Sequence, residues 1–228
     1  MKEKNFSRIV LLMMVSCILA LTQISAGAQT QRRISSVIVK AEFAQTADIK
    51  SPNVPSLGSP GKWIQINIDF ATALINSPLG KNYFEWLDNV RVETEIILPT
   101  GHPQKQYALL MGKADYWSFA LDGKEHHLVM FVPPDILKRW APSQKFSSSD
   151  IKKLEIKVSF KQNDALIALG FQTPKERTEL EVARRFESVG LNTSIDRVRN
   201  AVYSVDRTPW APLNFDYYEL LKTSKSEE

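Results

Sequence analysis

Cysteine is almost missing from this 228-residue chain, which has Cys17 and no other. Cys17 lies inside an apolar N-terminal stretch, so the rest of the chain has no disulfide, no thiol nucleophile and no thiolate metal site. Histidine is scarce as well: His102, His126 and His127 are the full set. Adjacent residues of a strand point to opposite faces, so His126 and His127 do not chelate one metal together. No H-x-x-x-H pair and no calcium-loop spacing is present. Glycine motifs of the G-x-G-x-x-G and P-loop kinds are missing too. Ser56-Leu57-Gly58-Ser59 lies in a proline-rich loop without the strand-to-helix turn that a nucleophile elbow needs. Glu93 and Glu95, two apart on a strand pattern, read as a wet strand face. The sequence therefore names no catalytic residue, no cofactor site and no metal site. It also lacks charge of one sign, with 29 basic against 25 acidic residues and no basic block, which gives no argument for nucleic acid as a partner. No apolar run reaches the roughly 20 residues that span a bilayer.

What is present begins with Lys2, Lys4 and Arg8, then an apolar run over residues 9–21 broken only by Ser16, then Ala26-Gly27-Ala28. A basic start, a short apolar centre and a small-x-small exit predict a secretory signal peptide over residues 1–28, cleaved after Ala28. Retention of that segment as an anchor, or lipidation at Cys17 after Val15-Ser16, are the alternatives. Cleavage removes three basic residues and one acidic residue, leaving 26 basic and 24 acidic and a net charge near +2. A cysteine-free exported chain fits a bacterial periplasm or cell surface, and the expected mature chain does not span a membrane. About 200 residues bury a core without covalent staples.

Two stretches organise the remainder. Residues 63–71 put Ile64, Ile66, Ile68 and Phe70 on one face and Trp63, Gln65, Asn67 and Asp69 on the other. Residues 90–98 put Val90, Val92, Thr94, Ile96 and Leu98 opposite Arg91, Glu93 and Glu95. A period of two marks strands with one buried face, typical of antiparallel sheets. Further strands are expected at 34–46, 106–113, 114–121, 126–132, 151–160 and 165–171, with Asp122-Gly123 as a hairpin turn. Over 114–121 the alternation sets Tyr116, Ser118 and Ala120 against Trp117, Phe119 and Leu121. A short helix is expected over 134–140, with Pro134 in its first turn. The fold class is mainly β, an antiparallel β-sandwich over 34–172. A C-terminal appendage, 173–228, packs on it or extends from it. The appendage holds a helix with Thr173 as N-cap, Pro174 next, Leu180, Val182, Ala183 and Phe186 as its apolar stripe, and Gly190 just past its end. An aromatic tail follows.

The aromatics carry the functional expectation. Trp63 interrupts a polar strand face, Trp86 lies just before the second organising stretch, Trp117 lies in a hairpin arm, and Trp210, Tyr217 and Tyr218 crowd the tail. These six form the candidate interaction surface, because exposed aromatic faces bind partner proteins or sugar rings. The alternative is that the tail closes the sandwich and covers Trp63. For a glycan, Trp63, Trp86 and Trp117 would be the platform.

The export signal, the cysteine-free strands and the run Asp206-Arg207-Thr208-Pro209-Trp210-Ala211-Pro212-Leu213-Asn214-Phe215-Asp216-Tyr217-Tyr218 give the chain a resemblance to a verrucomicrobial family. It resembles the Akkermansia-type pilus-like proteins that accompany a type IV pilus-like system. The resemblance implies an immunoglobulin-like sandwich and a non-enzymatic role in an envelope or surface assembly. It implies envelope or pilus-system proteins as partners, with a glycan as the alternative ligand. It brings no catalytic residues. An ordinary prepilin cleavage junction is missing from this sequence, which argues against the chain being a filament subunit itself.

Overall fold

A computed structural model describes residues 33–45, 62–76, 78–80, 84–141, 146–192, 195–211, 219, 221 and 222. The expected signal peptide with Cys17 and Ala28, and the tail residues Tyr217 and Tyr218, lie outside the described residues. Nine strands follow in order: β1 (Ile34–Gln45), β2 (Lys62–Thr72), β3 (Trp86–Pro99), β4 (Tyr107–Ala120), β5 (Glu125–Val132), β6 (Glu155–Gln162), β7 (Ala165–Gln172), β8 (Asp196–Val198) and β9 (Tyr203–Ser204). Among the described residues three helices join them: α1 (Pro134–Trp140), α2 (Ser148–Ile151) and α3 (Glu179–Leu191).

The strands form two sheets, ordered β1-β2-β5-β9 and β7-β6-β3-β4-β8. All pairs are antiparallel except β4 with β8. Taking the first seven strands alone, β1-β2-β5 faces β7-β6-β3-β4. That is the A-B-E against G-F-C-C′ arrangement of an immunoglobulin-like sandwich. β9 extends the first sheet beyond β5, and β8 extends the second beyond β4, so the segment after α3 supplies an edge strand to each sheet.

The alternation read from β2 and β3 is the alternation that builds the core. Ile64, Ile66, Ile68 and Phe70 face inward and are buried, opposite Val90, Val92, Thr94, Ile96 and Leu98. Immunoglobulin domains with a disulfide bridge strands B and F; here Phe70 on β2 and Phe160 on β6 meet instead, with ring centroids 5.0 Å apart. Phe119 on β4 joins them at 4.9 Å from Phe70. The core thus replaces a covalent staple with an aromatic cluster worth a large buried area.

Several expectations change in detail. β3 begins at Trp86 rather than at residue 90, and both Leu87 and Val90 point inward. Asn89 takes a left-handed conformation, φ 56°, which shifts the facing by one residue. The register runs from Asp88 opposite Ser118 to Val90 opposite Tyr116, and the same shift puts Tyr116 and Phe119 together in the core instead of on opposite faces. The strand expected over 151–160 starts later, at Glu155, because Ser147 and Asp150 cap one another and wind Ser148–Ile151 into a helical turn. α3 starts at Glu179, capped by Thr178 and Glu181, and not after Thr173. It runs through Gly190 to Leu191. Val182, Phe186 and Val189 bury its inner face against Ile97 and Leu109 on the outer face of the second sheet, while Leu180 stays exposed.

The two open sides of the sandwich are shut without sheet hydrogen bonds. On one side β1 lies along β7: the Val37 side chain fills the space a Cβ would take at Gly170. Buried Gln172 ties the same seam, accepting from the Ala41 N–H and donating to the carbonyls of Ile151 and Leu154 at 2.9 and 3.0 Å. On the other side the C-terminal residues cross from one sheet to the other.

Candidate interaction surface

Trp63 starts on the outer face of β2, and its indole is not left in water. Trp210 meets it edge to face at 5.3 Å and stacks on Phe131 of β5 at 4.7 Å with planes 11° apart. Trp63 and Phe131 themselves meet edge to face at 6.3 Å. The tail delivers Trp210 through a 3-10 turn at Val205–Arg207. There the Thr208 hydroxyl donates to the Val205 carbonyl at 2.7 Å and accepts the Trp210 N–H at 3.3 Å. Three aromatic rings from β2, β5 and the tail therefore cover one another.

Trp86 and Trp117 have no such cover. Their fractional exposures are 58 % and 60 %, at opposite ends of the shifted stretch of β3 and β4, and inward Leu87 and Tyr116 place both indoles on the outer face of the second sheet. Trp117 carries the Lys222 ammonium 4.8 Å above its ring centre, a cation–π contact. Lys222 also donates from its backbone N–H to the Asp115 carbonyl at 2.7 Å and from its ammonium to Asn89.

Lys222 is the end of a seam. Leu221 bridges to Tyr116 on β4, and the Glu219 N–H donates to the His127 carbonyl on β5 at 3.4 Å. The Glu219 carboxylate takes Nδ1 of buried His126, whose Nε2 lies 3.2 Å from both Asp122 and the Thr72 hydroxyl. Burial works against protonation of His126, but the hydrogen bond and charge of Glu219, and the charge of Asp122, outweigh it and raise its pKa. Burial likewise pushes the Tyr116 hydroxyl far above the ordinary phenol range, and the charges of Asp206 and Glu219 add to the rise. His127 points outward to Asp69 at 2.7 Å, so the two adjacent histidines serve opposite faces.

Beside Trp117 and Lys222 lies a cleft of about 380 Å³ lined by Asn89, Arg91, Asp115, Lys161, Asn163, Asp164 and Lys222. Arg91 donates to Asp115 at 2.8 Å and to Asp164 at 3.4 Å; the hydrogen bond and charge of Asp115 raise its pKa. Lys161 pairs with Glu93 at 2.6 Å. The cleft thus carries both signs of charge and hydrogen-bonding amides, and Lys222 links it to the exposed Trp117 indole. Among the described residues no group of three or more His, Cys, Asp or Glu is placed to hold a metal ion. Of the six aromatics expected to form one surface, the fold separates two covered ones, Trp63 and Trp210, from two open ones, Trp86 and Trp117. Asn89 and Lys222 escaped sequence reading, and Arg91 reads there only as an outward residue of its strand. Asn89 lies just before the second organising stretch, and Lys222 carries no motif.

Comparison with known proteins bears on the whole chain. A family model matches residues 26–225 and identifies the Akkermansia-type pilus-like proteins. A crystal structure of a protein from Akkermansia muciniphila matches with a TM-score of 0.55 at 17 % identity, covering 85 % of this chain and 97 % of that one. No curated protein matches significantly. Among the described residues no helix is long and apolar enough to cross a membrane.

Proposed function

The chain belongs to the Akkermansia-type pilus-like family, and from that premise we propose that it is an exported, non-enzymatic protein acting by protein–protein contact in a type IV pilus-like envelope or surface assembly. The observation that carries the contact reading is the pair of open indoles, Trp86 and Trp117, on the outer face of the second sheet, whereas Trp63 and Trp210 cover one another over the first. Large exposed aromatics cost solubility and are enriched where a partner binds. Tyr217 and Tyr218, outside the described residues, belong to the proposed interaction surface on sequence alone. Export rests on the signal peptide over residues 1–28 with cleavage after Ala28, which delivers the chain to the periplasm or cell surface. The experiment is capture of the native protein from envelope extracts, against a Trp86→Ala, Trp117→Ala double variant. Envelope partners should be retained by the native chain and reduced about tenfold or more in the variant, since losing a central indole costs over 1 kcal/mol. Recovery of no envelope partner, or equal recovery by both proteins, refutes the reading.

A carbohydrate ligand is the second reading, favoured by one observation: Lys222, which lines the polar cleft, also lies over the exposed Trp117 indole. Trp63 leaves that platform because Trp210 covers it. Glycan-array binding that Trp117→Ala abolishes and Trp63→Ala spares supports this reading; silence on the array removes it.

A further inference from the structure

Glu155 begins β6, opposite Ile97 of β3, on the sheet face that α3 covers, and it is 5 % exposed. A carboxylate at that depth needs partners for both oxygens. Oε1 has two: the Arg177 guanidinium and, at 3.0 Å, that of Arg185. Oε2 is shut from solvent and has no partner among the described residues. Both guanidiniums are anchored elsewhere as well. The Arg177 N–H donates to the Pro174 carbonyl at 3.0 Å, closing the turn before α3, and Arg185 lies 4.6 Å over the Tyr107 ring. Each reaches Oε1 through Nη1, and a guanidinium has five N–H donors. One carboxylate oxygen is therefore short of a donor, while most of the donors beside it remain open to an acceptor. The same groups line a cleft of about 270 Å³, together with Lys153, Glu176 and the apolar Ile97 and Pro99. Its charged lining sets three cations, Lys153, Arg177 and Arg185, against two carboxylates, Glu155 and Glu176, so the surplus is positive.

We infer that this cleft binds inorganic phosphate, an oxyanion that still carries a proton at neutral pH. Its P–O–H donates to Glu155 Oε2, and its other oxygens accept from Arg177 and Arg185, with Lys153 adding positive charge. Paired guanidiniums suit a planar fork of oxyanion oxygens. Each competing class of ligand fails on one count. A metal ion or an amine brings positive charge to a positive surplus. A neutral hydroxyl satisfies Oε2 but leaves the guanidinium donors without an anion. Sulfate and a carboxylate satisfy the guanidiniums but bring a second acceptor to Oε2, and the two repel. A phosphate monoester loses its last proton at about pH 6, so above neutrality it meets Oε2 as sulfate does, whereas inorganic phosphate keeps a proton. The way in lies past Arg177, which belongs to the loop before α3 and has a side chain 40 % exposed, against 24 % for Arg185. This inference goes beyond the pilus-related reading and does not depend on it.

The test uses the chain without residues 1–28, which retains the structural unit that begins at Arg33. Titration calorimetry at about pH 8 and constant ionic strength should show inorganic phosphate binding with a dissociation constant on the order of millimolar or tighter. Sulfate and glycerol 3-phosphate should bind about tenfold more weakly or worse, because each leaves Oε2 facing an acceptor. Glu155→Gln puts an N–H₂ donor where Oε2 was and should reverse that order, with sulfate gaining about tenfold or more over phosphate. Arg177→Gln, at an exposed position, should weaken phosphate about tenfold or more with unchanged circular dichroism. That second variant keeps the inference open to refutation if Glu155→Gln does not fold. Absent phosphate binding, equal binding of sulfate or of glycerol 3-phosphate, a folded Glu155→Gln chain that still prefers phosphate, or an Arg177→Gln chain that binds phosphate as the native one does overturns the inference.

Discussion

Two glycines set how closely the chain's distant parts approach one another. At Gly170 a side chain would run into Val37, a β-branched residue with little freedom to turn away. At Gly112 it would run into the Val202 carbonyl oxygen, which is backbone and yields only if the chain moves. Gly112 thereby lets the segment after β8 lie on β4, where the Ala201 N–H donates to the Met111 carbonyl at 2.9 Å. Gly112→Ala should cost about 1–3 kcal/mol, the usual scale for overfilling a packed site. Urea unfolding reads that loss, and hydrogen exchange should show the Ala201 amide exposed ahead of the β3 amides. Gly190→Ala is the contrast: nothing stands within 4 Å of a Cβ there, and the site is helical, so it should stabilise by about 0.5–1 kcal/mol. A glycine inside a strand pattern hints at a close backbone approach, but not from where. Val202 is ninety residues from Gly112, and no local pattern links them. The left-handed Asn89 is similar: Asp88-Asn89 reads only as the lead into a strand, and its effect on which side of β4 Phe119 faces depends on the register between strands.

The strands were legible because a half-buried strand writes its burial directly into every second residue, as in Ile64, Ile66, Ile68 and Phe70. The helices were less so, because their starts depend on polar residues that also suit loops. Thr178 accepts the Glu181 N–H at 3.3 Å while the Glu181 carboxylate takes the Thr178 N–H at 2.8 Å, and Ser147 with Asp150 repeats the device. Both are the S/T-x-x-D/E pattern of a capping box. In the first case the nearby Thr173-Pro174 offered a competing start with an equally good local rationale. In the second the polar run 147–150 matched a loop. Thr178→Ala should destabilise by about 1 kcal/mol, read as a fall in melting temperature. Restoration by Thr178→Ser would assign the loss to the cap, whereas an equal loss with serine would assign it to packing.

The described part of the tail binds both sheets, with Trp210 over β2 and β5 and with Glu219, Leu221 and Lys222 across β5 and β4. That places one titratable latch, His126 with Glu219 and Asp122, between the tail and the sandwich. The His126 pKa in the folded chain lies above its ordinary value of about 6.5. A raised pKa means the folded state holds the proton more tightly than the unfolded chain. The resulting stabilisation is complete below about pH 6.5 and disappears as pH rises through the folded-state pKa. Asp122 acts in the opposite direction: burial alone would raise its pKa, but the Lys124 backbone N–H and the charge of His126 hold it below the ordinary carboxylate value. Its contribution is present above about pH 4 and fails as the solution is made more acid. Stability should therefore peak between about pH 4 and 6.5 and decline on the alkaline side. Glu219→Gln should flatten that alkaline decline, because it removes the charge that lifts His126, and should leave the acid limb set by Asp122 in place. Melting temperatures from pH 3 to 9 for both proteins measure it; the same alkaline slope in the variant would show that the latch does not govern the tail's hold on the sandwich.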